Sequence, residues 1–303
     1  MNYKTFVKSS ETRKRILNMF SFIPDELMVK LQYKIKLGRS LNLKNPKRFT
    51  EKLQWLKLYY RNDMMIKCVD KYDVREYVKS KGLVEILIPC YGLFNDIEEI
   101  DFSKLPKEYV VKDTLGGGGN SVIIVKNDNE IDVNSLKARI SSWLNIPTNN
   151  IDDGREWPYS EGNRHRVIIE MYISTEDNVL IEYKFFCFGG KVEFLYVLTD
   201  RILGKDVALG VFNRDFKQMD VFRADERYLD MTIPTPSNFK EMIRIAEILS
   251  SDFPHARIDL YNKEGQVLFG EITFFDGSGY MKFEPDEFDY TAGSLLELPK
   301  RNN

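Results

Sequence analysis

The 303 residues, 43% hydrophobic and 30% charged with a net charge of −2, suffice for one large core or for two to three lobes sharing a cleft. No run of about 18 apolar residues occurs, which excludes a spanning helix, and the polar stretch 1–15 lacks the apolar region of a secretory signal, which predicts a cytoplasmic protein. Three scattered cysteines (Cys68, Cys90, Cys187) and two histidines (His165, His255) argue against a disulfide framework, a zinc site and histidine-based triads.

The front of the chain is basic: residues 1–61 hold 15 Lys/Arg against 4 Asp/Glu. Two readings fit that excess: a polyanionic partner such as an anionic membrane surface or acidic glycan, or a helical lobe docked on the acidic remainder. Nucleic acid is set aside, because no zinc-finger, basic-zipper or RNA-recognition pattern is present. Residues 11–45 read as helical around a turn at Pro24, and Asn45-Pro46 breaks the chain. Phe49, Leu53, Leu56 and Tyr60 then predict an amphipathic helix over 49–61, and a further helix fits 70–81. Strands are predicted over 109–113 and 121–126, a helix over 133–144, a loop over 145–164 and a strand over 166–173. Strands over 182–188 and 192–198 flank Gly189-Gly190, a hairpin signal, and another strand covers 207–212. A helix over 236–249 precedes a last hairpin, 256–261 with 266–274. Antiparallel hairpins mixed with isolated helices predict an α+β layout.

Within this order, four segments carry chemistry. VVKDTLGGGGNSVIIV sets Gly116, Gly117, Gly118 and Gly119 between two strands. A loop without Cβ atoms lets N–H groups close on phosphate oxygens, and Lys112 adds a positive charge for the same phosphates. No Gly-Lys-Ser/Thr follows, so this is not a Walker loop, and a flexible hairpin tip is the other reading. In ARIDLYNKEGQVLFGEITFF, residues two apart share a face, so Arg257 points with Asp259 and Glu271 with Thr273. A turn near Gly265 sets Asp259 across from Glu271 or one diagonal away. Two carboxylates so placed repel unless a cation lies between them, and magnesium on ATP phosphates meets that need. A solvated polar face with a salt bridge from Arg257 is the alternative. The strand VIIEMYI carries Glu170 in an apolar run; in a nucleotide cleft it would offer backbone groups to adenine and a carboxylate to ribose or the adenine amino group. Lys184, a lone cation in the apolar strand EYKFFCF, needs an anionic partner: a phosphate, a substrate carboxylate, Glu170 or Glu182.

Taken together, these segments resemble the ATP-grasp superfamily, and most closely its teichuronopeptide-biosynthesis (TupA-like) branch. The resemblance rests on NPKRFTEKLQWLKLYYRN, DKYDVREYV, YVVKDTLGGGGN, DNVLIEYKFFCFGGKVEF and RIDLYNKEGQVLFGEITF, and runs over most of residues 40–298. It implies an ATP-grasp fold, with ATP clasped between two antiparallel α+β lobes. It also implies phosphorylation of a carboxylate to an acyl phosphate that an amine then attacks. By that similarity Lys71, on a helix carrying Asp-Lys-Tyr, and Lys112 contact phosphates under the Gly116–Gly119 loop. Glu170 with Met171, Tyr172 and Ile173 holds adenosine, Asp259 and Glu271 bind Mg2+, and Arg257 stabilises the transferring group. One position departs from the pattern: many relatives read Glu-x-Asn where this chain reads Glu271-Ile272-Thr273, and a Thr hydroxyl is the weaker ligand.

The chain is thus expected to divide into a helical basic segment (1–62), a helical linker subdomain (63–106), an N-lobe with the glycine loop (107–174) and a C-lobe with the metal site (175–303). The expected activity is an ATP- and Mg2+-dependent carboxylate–amine ligase acting on an acidic saccharide of a bacterial surface polysaccharide, lipid-linked or free, with an amino acid or amine as second substrate. The basic segment is the candidate for peripheral contact with the inner membrane face. A glycan kinase, in which a sugar hydroxyl takes the γ-phosphate, uses the same ATP end and stays open because of Thr273. A non-catalytic nucleotide- or glycan-binding module is a further alternative, against which Lys112, Asp259 and Glu271 stand.

Overall fold

The computed structural model describes residues 22–117, 119, 121–126, 132–147, 154–173, 180–203 and 206–301. Within that range the helix expected over 11–45 is reduced to α1 (Asp25–Leu37). Gly38 ends it by entering the left-handed region at φ 74°, where its N–H closes on the Lys34 carbonyl. α2 (Phe49–Tyr59) falls where its period placed it. Its start is fixed by Glu51, whose carboxylate accepts from the N–H groups of Lys47 (2.9 Å) and Arg48 (3.2 Å). The helix expected over 70–81 starts later, as α4 (Val74–Ser80), and a separate short helix not expected from the sequence, α3 (Met64–Val69), precedes it, with Asp70-Lys71-Tyr72 at the turn between them. Asp70 makes the break: its carboxylate accepts from the N–H groups of Tyr72 (2.8 Å) and Asp73 (3.0 Å), a local alternative to helical bonding.

β1 (Cys90–Phe94), β2 (Tyr109–Asp113), β3 (Val122–Val125) and β4 (Val167–Met171) form an antiparallel sheet in the order β1-β4-β2-β3. α5 (Val133–Leu144) covers one face, packing Leu136, Ile140 and Trp143 on Tyr109, Val111, Val167 and Ile169. Strand alternation therefore turns Lys112 and Glu170 to the other face. A short helix, α6 (Trp157–Ser160), interrupts the stretch expected to be all loop.

The second sheet has six strands: β5 (Glu182–Phe188), β6 (Lys191–Ile202), β7 (Asp206–Asn213), β9 (Arg227–Tyr228), β10 (His255–Lys263) and β11 (Gln266–Thr273). Their order is β11-β10-β5-β6-β7-β9, antiparallel except for the parallel β7–β9 pair. β8 (Phe222–Arg223) pairs with β12 (Phe283–Glu284). α7 (Phe239–Ser250) buries Met242, Ile245, Ala246 and Leu249, and Phe239 stacks on Phe185 from one side of the sheet. At one end of the opposite face, Phe49 of α2 meets Phe186 and Phe188, and Phe288 of α8 (Glu287–Leu295) meets Phe194.

β1 and α8 were not foreseen. β1 has only five residues with Gly92 at its centre, and α8 carries a glycine, Gly293, in its interior. That glycine is needed, because a Cβ there would stand 2.1 Å from the Lys47 carbonyl oxygen. The α2–α8 junction also takes up basic side chains: Arg39 and Arg48 each reach Asp286 at 2.7 Å, and Arg48 reaches Asp289 at 3.4 Å. Buried Lys57 donates to the carbonyls of Gly154 (2.7 Å) and Ser278 (2.9 Å). Docking on the acidic body thus accounts for these members of the basic front end. Among the described residues no helix is long and apolar enough to cross a membrane.

His255 sits in this aromatic layer, 5.1 Å from the Phe49 ring, with Nδ1 2.9 Å from the Cys187 carbonyl oxygen. That acceptor keeps a proton on Nδ1. Burial pushes the imidazole down from 6.5 to about 4. The unfolded chain therefore takes up a proton first as pH falls. The stability His255 contributes is complete above pH 6.5 and drains as pH drops toward about 4, a loss of about 3 kcal/mol. Urea unfolding at pH 7 and pH 4 should show that loss, and His255→Asn should flatten the profile between them. An unchanged slope in the variant would assign the acid sensitivity to other groups.

Candidate active site

The β10–β11 hairpin turns tightly at Glu264-Gly265, both at positive φ (52° and 89°), as a two-residue loop requires. Arg257 is paired with Thr273 and Asp259 with Glu271, so the expected facing of the two carboxylates is met. Gly270 is left unpaired where the register shifts after Asp259, and a Cβ there would lie 2.9 Å from the Asp259 carbonyl oxygen. This bulge aims Glu271 at the same spot as Asp259.

One guanidinium gathers the group. Arg257 donates from Nε to Asp259 Oδ1 (2.7 Å) and from Nη2 to Asp259 Oδ2 (2.7 Å), Glu271 Oε1 (3.0 Å) and Thr273 Oγ1 (3.0 Å). Its Nη1 donates to Asp276, whose other oxygen accepts from Arg223 Nη1 at 3.0 Å. Lys184 pairs with Asp259 and with Glu182 (3.1 Å), and Glu182 in turn with Arg201. Of the partners open to Lys184 in the sequence, Glu182 is one; Asp259 faces it from the neighbouring strand, and Glu170 lies on the other sheet.

These charges set each other's protonation. Burial works to raise Glu271, but Lys71, Lys184 and Arg257 pull it down to about 2. Burial raises Asp259 against the pull of Arg257 and Lys184. For Asp276 burial is overcome by Arg257 and Arg223, which hold it below the usual carboxylate range.

On the four-stranded sheet, Lys112 donates to Glu170 (2.7 Å) and Arg75 reaches the same carboxylate (3.3 Å). Ile173 packs with Ile88 and Leu268, with Met171 at its edge, and Lys126 lies over the Tyr172 ring at 5.1 Å. Lys71 joins the two sheets' loops: its ammonium donates to the Gly116 carbonyl, its backbone N–H to Thr114 (3.0 Å), and its charge acts on Glu271. It sits on the turn after α3 rather than on a helix. A Cβ on Gly116 would collide with Ser121, Gly117 faces open space, and Gly119 is left-handed at φ 74°; Gly118 lies outside the described residues. The predicted residues thus fall into two groups, Lys112–Glu170 and Lys184–Asp259–Arg257–Glu271–Thr273, with Lys71 between them.

Asp276, Arg223 and Arg75 escaped the sequence. Asp276 follows Phe274-Phe275 beyond the strand end and is placed by a turn through left-handed Gly277, Ser278 and Gly279, which no periodicity announces. Among the described residues no cluster of three or more His, Cys, Asp or Glu suits a metal ion. Two carboxylates and a hydroxyl on one face nevertheless fit magnesium, a hard cation that takes one or two carboxylates and completes its shell with phosphates and water. The open grooves beside α7 and between α1 and α2 contain none of these residues.

No protein of curated function matches the chain in sequence. Among solved structures, D-alanine–D-alanine ligase from Bacillus anthracis is 21% identical over 70% of this chain and 59% of its own, with a TM-score of 0.44. The Helicobacter pylori D-alanine–D-alanine ligase is 18% identical over 84% and 70%, TM-score 0.45. N5-carboxyaminoimidazole synthetase from Staphylococcus aureus, solved with ADP, is 14% identical over 77% and 53%, TM-score 0.39. The chain therefore spans little more than half the length of the Bacillus and Staphylococcus enzymes. The family profile described as TupA-like ATPgrasp matches residues 51–297, most of the chain, and the chain belongs to that family, with its α+β ATP-grasp fold.

Proposed function

We propose that this protein is an ATP- and Mg2+-dependent carboxylate–amine ligase. A carboxylate oxygen of the acid substrate attacks the γ-phosphorus and ADP leaves; an amine nitrogen then attacks the acyl carbon, loses a proton, and phosphate leaves. The acid is an acidic sugar of a surface polysaccharide or its precursor, and the amine an amino acid or simple amine. The observation that carries this reading is the convergence of Asp259, Glu271 and Thr273 on Arg257 with Lys184 alongside, in a chain of this family. Phosphoryl transfer needs positioning and charge neutralisation rather than a protein nucleophile. Such a cluster supplies both.

In this reading Asp259, Glu271 and Thr273 hold magnesium, which would neutralise phosphate charge. Lys71 and Lys112 meet the phosphates beneath Gly116–Gly119, and Glu170 with Met171–Ile173 takes adenosine. Each lysine must exchange a protein partner for phosphate: Gly116 for Lys71 and Glu170 for Lys112. Arg257 and Lys184 orient the acid and the transferring group. The four-part division at 62/63, 106/107 and 174/175 belongs to the same proposal.

ADP release should be measured with Mg-ATP against uronic acids and acidic oligosaccharides, each with and without a pool of amino acids and amines. Turnover requiring both acid and amine is the expected result. Turnover with a saccharide alone and a stable phosphorylated sugar would establish the kinase reading, which Thr273 favours by leaving one fewer strong metal ligand.

A further inference from the structure

The residues just before β4 hold two separate pieces of the candidate nucleotide end. Arg166 holds one with its backbone and the other with its side chain. Its carbonyl accepts from the Thr114 N–H at 2.9 Å, which carries the β2–β4 ladder one residue past Asp113 and into the root of the glycine loop. Its guanidinium reaches the turn that carries Lys71: Nη2 donates to Asp73 Oδ2 at 2.6 Å and lies 2.9 Å from Asp70 Oδ2. Thr114 and that turn are also joined directly, since the Thr114 carbonyl accepts from the Lys71 N–H at 3.0 Å. These links close a ring that runs from the Arg166 backbone through Thr114 and the Lys71 turn back to the Arg166 guanidinium. His165 fastens the loop root a second time: its Nδ1 lies 2.8 and 3.0 Å from the two oxygens of buried Asp113, whose Oδ1 accepts from the Leu115 N–H at 3.2 Å.

Asp70 makes the ring depend on the guanidinium. It is fully buried, and its Oδ1 already shapes the turn by accepting from the Tyr72 and Asp73 N–H groups. An ionised carboxylate so placed needs a counter-charge. Among the described residues, Arg166 is the cation paired with it.

We propose that Arg166 is a positioning residue for the triphosphate: by holding Asp70 and Asp73 it fixes the turn from which the Lys71 ammonium meets phosphate. This rests on the reading that Lys71 contacts the nucleotide. A lysine has a flexible four-carbon stem, so the fold controls its reach by holding its backbone still. A turn ordered in advance leaves less to be ordered when the nucleotide binds. The Lys71 ammonium faces the Gly116 carbonyl and its charge acts on Glu271, so a loosened turn disturbs the loop contact and the charge beside the metal carboxylates together.

Calorimetry on the full chain tests this with two probes: the non-hydrolysable ATP analogue AMP-PNP with magnesium, and adenosine, which lacks phosphate. Arg166→Gln removes the guanidinium and keeps the backbone link to Thr114. It should weaken AMP-PNP about tenfold and leave adenosine unchanged. In a Lys71→Met background the same change should cost nothing further, because the residue through which it acts is gone. Melting temperatures show that each variant is folded at the temperature of the titration. If Arg166→Gln does not fold, Asp73→Asn takes its place: that side chain is 38% exposed, and losing it should weaken AMP-PNP about threefold, again only while Lys71 is present. Lys71→Met that weakens AMP-PNP while Arg166→Gln binds it as wild type overturns the positioning role and leaves the Lys71 contact standing. An equal loss from Arg166→Gln with and without Lys71 also overturns it. Wild-type AMP-PNP affinity in Lys71→Met removes the phosphate contact itself, and the role of Arg166 with it.

Discussion

Asp259→Asn and Glu271→Gln should each lower ADP release by on the order of a thousandfold under saturating Mg-ATP, whichever acceptor proves active. The two changes keep shape and remove one anionic oxygen, so the loss reports charge rather than packing. Both carboxylates stand opposite each other across one strand pair, and neither substitutes for the other in bridging a cation to phosphate. Their structural costs should differ. The Asp259 side chain is 6% exposed and shared by Arg257 and Lys184, whereas Glu271 is 37% exposed. Asp259→Asn should therefore lower the melting temperature more than Glu271→Gln, with circular dichroism showing the fold retained in both. Wild-type ADP release by either variant, with every acceptor, would sink the assignment of the metal ligands.

Arg257→Met should carry the largest stability cost of any substitution on this face, roughly 3–5 kcal/mol by urea unfolding. It strips the common partner from Asp259, Glu271 and Asp276 at once and takes a counter-charge from two buried carboxylates, Asp259 and Asp276. Arg257→Lys should recover little, because an ammonium cannot reproduce donation from Nε, Nη1 and Nη2 in one plane. Millimolar magnesium should return part of the loss in Arg257→Met and add much less to the wild type, since the ion then supplies the missing positive charge. A variant within about 0.5 kcal/mol of wild type would show that the carboxylates do not depend on this guanidinium.

What the chain announced in advance was whatever repeats every two residues or sits in a tight turn. The pairing of Asp259 with Glu271 followed from alternation on either side of Gly265, and the Lys112 strand from its apolar run before the glycines. Features that depend on one-residue irregularities were silent. The bulge at Gly270, the left-handed passage that follows Asp276, and the Asp70 turn between two short helices each break a period rather than obey one. Lys184 was legible as a cation needing an anion, but its main partner lies one strand away, and strand order is not written in local pattern. α8 was hidden for the opposite reason: its interior glycine argues against a helix until the α2 backbone is seen pressed against it.

The charges around Arg257 balance almost to zero. Lys71, Lys184, Arg201, Arg223 and Arg257 stand against Glu182, Asp225, Glu226, Asp259, Glu271 and Asp276, five against six. A lone divalent ion meets no deep electrostatic well in such a place and competes with ammonium and guanidinium groups already seated on both carboxylates. The same surface readily takes up a particle that brings its own counter-charge, since phosphate oxygens can draw the cations aside as the ion settles. Metal and nucleotide should therefore arrive as one species, and titrating magnesium without nucleotide should produce little heat.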